Sequence, residues 1–255
     1  MTSANSQPMK HVVSLSGGKD STALAFALRQ REPRDYVYIC NPTGNELPEM
    51  KAHWEKLGRM LESPLVPVGC GKSLDDLIQI QNALPSWRMR WCTRMLKINP
   101  TRQWLARNAP CISYVGLRAD EDEQERGGIY GDIADVTFRY PLREWGWTID
   151  DVYSFLAELG IKIPKRTDCA WCYDQRIVEW KNLWREHPEL YDLAVQRETQ
   201  VGNTFRSPRR DKWPASLAEM REHFENERKV RGEKFQLPLW EDVDPKMKKC
   251  RVCSL

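Results

Sequence analysis

Val12-Val13-Ser14-Leu15-Ser16-Gly17-Gly18-Lys19-Asp20-Ser21-Thr22-Ala23-Leu24-Ala25-Phe26-Ala27-Leu28 packs a strand end, a glycine turn and a helix start into one short stretch. A turn of this kind aims backbone N–H groups and a helix N-terminus at one anion, and the helix dipole favours negative charge there. Lys19 adds a mobile cation, and Asp20 a carboxylate able to hold a metal ion. Two glycines after a strand mark by themselves only a tight turn. The flanking serines, the Lys-Asp pair and the strand-to-helix placement turn the stretch into a phosphate site. Gly71-Lys72-Ser73, by contrast, only imitates the end of a Walker loop, because the first glycine of that pattern would fall at Val66.

Outward from this turn, short β-rich runs alternate with helical ones. His11-Val12-Val13 leads into a helix over 21–30, Tyr36 to Cys40 into one near 48–62, and Leu65 to Val68 into one near 74–82; Ile112 to Gly116 follows a helix near 100–108. The alternation predicts an α/β fold, a parallel twisted sheet with helices on both faces, whose ligands sit beyond the carboxyl ends of the strands. Thr148, three residues before Asp151, starts a further helix that runs to Leu159 and stops at Gly160. After Cys172 the pattern is helical only, over 175–186, 188–201 and 215–229. The expected organisation is a nucleotide-binding α/β domain over 1–165, followed by a helical extension over 166–255 with Cys-x-x-Cys motifs and a basic tail.

The 255 residues suffice for a substantial core, and an apolar content of 41% is that of a globular protein. No apolar run is long enough to span a bilayer, and Met1 to Lys10 lacks a secretory segment, so the expected location is cytoplasmic, away from membranes. A net charge of +3 leaves any nucleic-acid affinity to local patches, the clearest being Arg206 to Trp213 and Lys246 to Arg251. Most of the eleven tryptophans are expected in the core. Eight cysteines without a signal peptide point to metal or redox chemistry rather than disulfides, and none of the four histidines lies near a cysteine cluster.

Ser16 to Ser21 matches every position of Ser-Gly-Gly-x-Asp-Ser, and the stretch resembles the pyrophosphate loop (PP-loop) of the adenine nucleotide alpha hydrolase-like ATP pyrophosphatases, which split ATP between the α and β phosphates. The resemblance implies ATP and Mg²⁺ bound by Ser16, Gly17, Gly18, Lys19, Asp20, Ser21 and Thr22, with Lys19 and Asp20 catalytic. Thr43-Gly44-Asn45-Glu46-Leu47-Pro48-Glu49 resembles the Thr-Gly-x-Glu-x-Pro-Glu stretch of the phosphoadenosine-phosphosulfate (PAPS) reductase branch, which adds Thr43, Gly44 and Glu46 to the nucleotide site. Gly116 to Arg126 looks like that branch's Gly-x-Arg loop, and Pro141-Leu142 through Trp147 like its Pro-Leu-x-x-Trp lead-in. Gly116 then lines the site, while Arg118 and Arg126 offer guanidinium forks to phosphate, Arg118 as a catalytic group. The likeness extends from Val12 to Cys172.

Arg90 to Pro100 has the spacing of the cysteine-to-proline segment of iron–sulfur sulfonucleotide reductases, with Cys92-Thr93 in place of two adjacent cysteines, and Cys169-Ala170-Trp171-Cys172 supplies the companion pair. The resemblance implies a 4Fe-4S cluster on Cys92, Cys169 and Cys172, as in related tRNA-thiolating enzymes, with one iron open or filled from the tail by Cys250 or Cys253. A structural zinc on Cys169, Cys172, Cys250 and Cys253 is the competing reading, though it leaves Cys92 unexplained. Cys40, Cys70 and Cys111 are expected as packing residues. Cys250, beside Lys248, Lys249 and Arg251, also sits where positive charge lowers a thiol pKa.

The retained Lys19-Asp20 pair favours ATP cleavage over reduction of a preformed sulfonucleotide. The expected function is adenylation of an acceptor oxygen followed by sulfur incorporation into nucleic acid. DNA phosphorothioation is preferred to tRNA thiolation, with a cysteine desulfurase or similar partner as sulfur donor. A sulfonucleotide reductase and a non-catalytic nucleotide-binding subunit are the alternatives.

Overall fold

The computed structural model describes residues 8–121, 131–208, 210–226 and 229–230. β1 (Lys10–Ser14) forms the centre of a five-stranded parallel sheet with β2 (Tyr36–Cys40), β3 (Val66–Pro67), β4 (Cys111–Tyr114) and β5 (Val136–Arg139), in the order β3-β2-β1-β4-β5. Val12 pairs with Val37 on one side and Ser113 on the other, so β1 is hydrogen-bonded along both edges. The strand order reverses direction between β1 and β4, which opens a crevice at their carboxyl ends.

Alternation along the strands divides the core between two faces. Val13, Tyr36, Tyr38 and Tyr114 pack under α1 (Lys19–Arg31), under Leu57 of α2 (Pro48–Met60) and under Val152 and Leu156 of α7 (Ile149–Glu158). Val12, Ile39 and Cys111 face the other way, against Leu105 of α5 (Asn99–Arg107). The parallel sheet covered on both sides is as the sequence predicts. The predicted helix start at Thr148 is also present, with Thr148 N donating to Asp151 Oδ2 at 2.7 Å and Gly160 beyond the helix end at φ 63°.

Two elements escaped the sequence reading. β5 is one. The other is the helical run before α5: α4 (Trp91–Thr93) passes into a π-turn over Arg94–Ile98, whose exit is the bond from Asn99 N–H to Arg94 O. The extra residue widens the helix just ahead of Pro100, which has no N–H to give.

α3 (Leu74–Gln81) is capped by Ser73 and Asp76, and α6 (Pro141–Glu144) is a single turn. α8 (Ile177–Glu186), α9 (Pro188–Val201) and α10 (Leu217–Glu225) form the helical extension, the last somewhat shorter than the predicted 215–229. Their core is shared across residue 165: Trp171, Trp180, Tyr191, Phe205 and Phe224 cluster with Leu74, Leu77, Trp91 and Leu96. The extension thereby fixes α3 and the Cys92 helix.

Candidate active site and cysteine cavity

α1 begins at the glycine turn without a side-chain cap: Gly18 is the N-cap residue, in extended geometry. Gly17 holds φ 85°, and a Cβ there would lie 2.2 Å from Met50 Cε and 2.8 Å from Trp54 Nε1. The turn is therefore seated on α2, which also grips its carbonyls. His53 Nε2 donates to Gly17 O at 3.1 Å and Trp54 Nε1 to Ser16 O at 2.9 Å. Burial drives the His53 pKa down to about 4, so the ring is neutral and its Nε2–H is available for that bond. Ser21 Oγ donates to Gly18 O at 3.1 Å and lies 3.0 Å from Ser16 Oγ.

The loop after β4 closes on the same turn. A Cβ on Gly116 would stand 3.1 Å from Asp20 C and from Ser21 N, so only glycine lets the two backbones approach. Arg118, 1% exposed, donates through Nη1 to Asp20 Oδ1 at 2.7 Å and through Nε to Asp120 Oδ1 at 2.8 Å, with Glu121 Oε1 at 3.4 Å. The sequence offers this guanidinium to phosphate or to charge in the transition state; in the structure three carboxylates compensate its burial and it orients Asp20. Lys19 Nζ is 3.2 Å from the other Asp20 oxygen. Asp20 thus faces two cations, one on each carboxylate oxygen. Arg126 lies outside the described residues.

Thr43, Gly44 and Glu46 form the third wall. Glu46 accepts from Thr43 N at 2.6 Å and from Thr43 Oγ1 at 2.5 Å, so its carboxylate is spent on shaping its own loop. Gly44 has φ 72° and no room for a Cβ, which would meet Ser73 Cβ at 2.6 Å. The loop also reaches the second region of interest: Glu46 bridges to Cys169, and Ala170 N donates to Asn45 O at 2.7 Å.

Cys92, Cys169 and Cys172 line one cavity together with Thr43, Trp87, Arg90, Lys97 and Asp168. The structure thus brings these three cysteines, from sequence positions far apart, to one cavity. A hydrogen bond with Cys169 and then burial hold the Cys172 thiol well above its usual pKa, and burial raises that of Cys92. A metal entering here must displace those protons. Among the described residues no three Cys, His, Asp or Glu side chains converge on one ion-sized point. Cys250 and Cys253, and with them the competing zinc set, lie outside the described residues. Cys40 and Cys111 are buried as expected, burial pushing Cys40 up to about 11, but Cys70 is exposed rather than packed.

Sequence reasoning missed what joins the two regions. Thr167 Oγ1 is 3.6 Å from where a Cβ would stand on Gly18 of the glycine turn. Arg166 donates to Asp168 Oδ1 at 3.1 Å and to Cys169 O at 2.8 Å. One short segment therefore approaches the glycine turn at Thr167 and supplies two of the three thiols. The basic loop also differs from expectation: Arg206, 2% exposed, is a buried strut donating to Pro214 O and to Asp211 Oδ2, while Arg210 Nη2 lies 3.5 Å from Asp174 at the cavity wall.

Among known proteins, the uncharacterized protein MJ0973 of Methanocaldococcus jannaschii is 24% identical over 232 residues, which are 85% of this chain and 55% of that protein. The chain spans about half the length of this curated relative. PAPS reductase of Candida auris, in a phosphate complex, superposes with a TM-score of 0.47 at 12% identity, over 62% of this chain and 76% of that one. U34-tRNA thiolase NcsA of Methanococcus maripaludis, solved with its 4Fe-4S cluster, superposes with a TM-score of 0.45 at 18% identity, over 97% of this chain and 80% of that one. A family match covers residues 10–168, from β1 through the glycine turn to the segment that leads into Cys169. On that match, the chain belongs to the phosphoadenosine phosphosulfate reductase domain family.

Proposed function

We propose that this chain, within the nucleotide-dependent sulfur chemistry of its family, cleaves ATP to adenylate an oxygen of a nucleic acid and exchanges that oxygen for sulfur. DNA backbone phosphate is the preferred acceptor. The observation that supports the reading is the approach of Thr167 to the glycine turn, two residues before Cys169 of the three-thiol cavity.

In the first step the acceptor oxygen attacks the α-phosphorus of ATP and pyrophosphate departs with the electron pair of the broken P–O bond. The first-turn amides of α1 and Lys19 bear the charge that develops on pyrophosphate, and Arg118 keeps Asp20 oriented toward Mg²⁺. In the second step hydrosulfide displaces AMP, forming the bond to sulfur as the bond to the adenylated oxygen breaks. Oxidation states do not change. Cys92, Cys169 and Cys172 would hold a 4Fe-4S cluster, and three protein thiolates leave one iron free to take an exogenous sulfur ligand. A cysteine desulfurase is the class of partner that supplies the sulfur, as a persulfide whose outer sulfur is released as hydrosulfide by two electrons from a thiol reductant, which leaves as its disulfide.

The test is anaerobic incubation of purified protein with ATP and Mg²⁺, with and without DNA or tRNA, separating AMP plus pyrophosphate from ADP. AMP plus pyrophosphate, stimulated by DNA, is expected; stimulation by tRNA alone would move the acceptor to a base carbonyl. The family match favours one second reading, reduction of a sulfonucleotide. Sulfite release from PAPS with no ATP turnover would replace the proposal with it.

A further inference from the structure

Between α3 and the Cys92 helix the chain turns outward through Pro85-Ser86-Trp87-Arg88-Met89-Arg90. Trp87 is 67% exposed and Met89 50%, which is costly for an indole unless something covers it. The Arg90 guanidinium stands over the Trp87 ring, 5.9 Å from its centroid. Trp87, Arg90 and Lys97 also line the cavity that holds the three cysteines, so this aromatic projection forms its lip.

The chain that builds the lip is basic along its length, whereas the cavity it borders also carries Asp168 and Asp174, paired with Arg166 and Arg210. From Leu77 to Ala119 the sequence contains no Asp or Glu but carries Arg88, Arg90, Arg94, Lys97, Arg102, Arg107 and Arg118. Arg118 is neutralised underneath the phosphate turn. Arg88 and Arg94 are exposed on either side of Cys92, and neither they nor Lys97 has an ion-pair partner among the described residues. This patch, rather than the Arg206 loop with its buried strut, is the concentration of unneutralised positive charge next to the chemistry.

We infer that Trp87 is a stacking platform for an unpaired nucleotide, flanked by Arg88 and Arg94 on the phosphates, which delivers a single-stranded or extruded nucleotide to the mouth of the cysteine cavity. An exposed indole beside cations is the combination that holds single strands, because every base has a face to stack and every linkage a charge to neutralise. A base in a duplex has no free face, so the site selects unpaired nucleotides. The inference rests on the proposal that the acceptor is a nucleic acid, and names the part of this chain that receives it.

The experiment is fluorescence anisotropy of the full-length protein with a labelled DNA oligonucleotide, the same sequence as RNA, and the DNA as a blunt duplex, over a range of salt. Single strands are expected to bind more tightly than the duplex, and the tighter of DNA and RNA identifies the source of the nucleotide. Trp87→Ala is expected to weaken single-strand binding roughly 5- to 100-fold, the effect of deleting one stacked ring. Trp87→Phe retains most of the affinity. Arg88→Ala with Arg94→Ala lowers the slope of log K against log salt by about 1.4, two phosphate contacts on a single strand. A Trp87→Ala protein that binds like wild type, or a preference for duplex, overturns the platform. Wild-type protein that forms AMP and pyrophosphate but binds no oligonucleotide also overturns it, while leaving ATP cleavage standing. Trp87-dependent binding without AMP formation overturns the proposed function instead.

Discussion

Replacing Gly17 with Ala tests how tightly the phosphate turn is seated. Two costs are separable in the structure. The φ of 85° charges an L-residue roughly 1–2 kcal/mol for a left-handed backbone. The new Cβ would also stand 2.2 Å from Met50 Cε and 2.8 Å from Trp54 Nε1, and overpacking of a closed site costs about 1–3 kcal/mol. Met50 is wholly buried but flexible, whereas Trp54 is tied to Ser16 O, so the strain falls on Met50 first. The sum, about 2–5 kcal/mol, corresponds to a fall in melting temperature of roughly 10 °C for a chain of this size. Combining Gly17→Ala with Met50→Ala separates the costs, because removing the Met50 side chain relieves the collision and leaves the backbone term. Thermal unfolding of the two single variants and the double variant should give a favourable coupling of ~1–2 kcal/mol. A Gly17→Ala protein that melts with wild type, or a double variant no better than the sum of its parts, would refute this account of the turn.

Lys19→Ala is expected to slow AMP and pyrophosphate formation by ~100-fold or more while leaving the far-ultraviolet circular dichroism unchanged. An unaltered rate removes Lys19 from catalysis. Cys92→Ala, Cys169→Ala and Cys172→Ala should each abolish the visible absorbance of anaerobically reconstituted protein and lower its bound iron. A variant that keeps the full spectrum and iron content is not missing a ligand. The fourth prediction concerns pH. His53 titrates near 4 in the folded chain and near 6.5 when unfolded, so the unfolded chain binds more protons between those values and stability rises with pH across that window. The contribution, about 3 kcal/mol, is complete above pH 6.5 and lost as pH falls through 4. His53→Gln should flatten this segment of a pH series of denaturant midpoints, and an unchanged slope would show that another group dominates.

Local signals were legible where chemistry and geometry coincide within a few residues. The glycine turn, the Thr148–Asp151 cap and the alternation of strands and helices needed no tertiary information. β5 offered only Val136 and Phe138 facing the sheet, too brief a pattern to separate from a loop. The π-turn before Pro100 adds one residue to a helical repeat, and no composition marks it. The candidate site divides in the same way. The three cysteines were found because their type is rare and their spacing informative. Arg118 was found without its partner Asp20, which became a neighbour only when β1 and β4 paired. Thr167 carried no signal of its own, being an ordinary residue made important by its approach to Gly18.

The N-cap of α1 is a glycine where most helices place a serine, threonine or aspartate, so no cap side chain accepts from the amides of the first turn. The helix is in that sense unfinished, and an anion seated in the turn would supply the missing terminus. Phosphate concentration would then act on the fold as a residue does, raising the melting temperature with the logarithm of ligand over its dissociation constant. A thermal shift with inorganic phosphate or pyrophosphate becomes a binding isotherm for the turn, readable before any substrate is known.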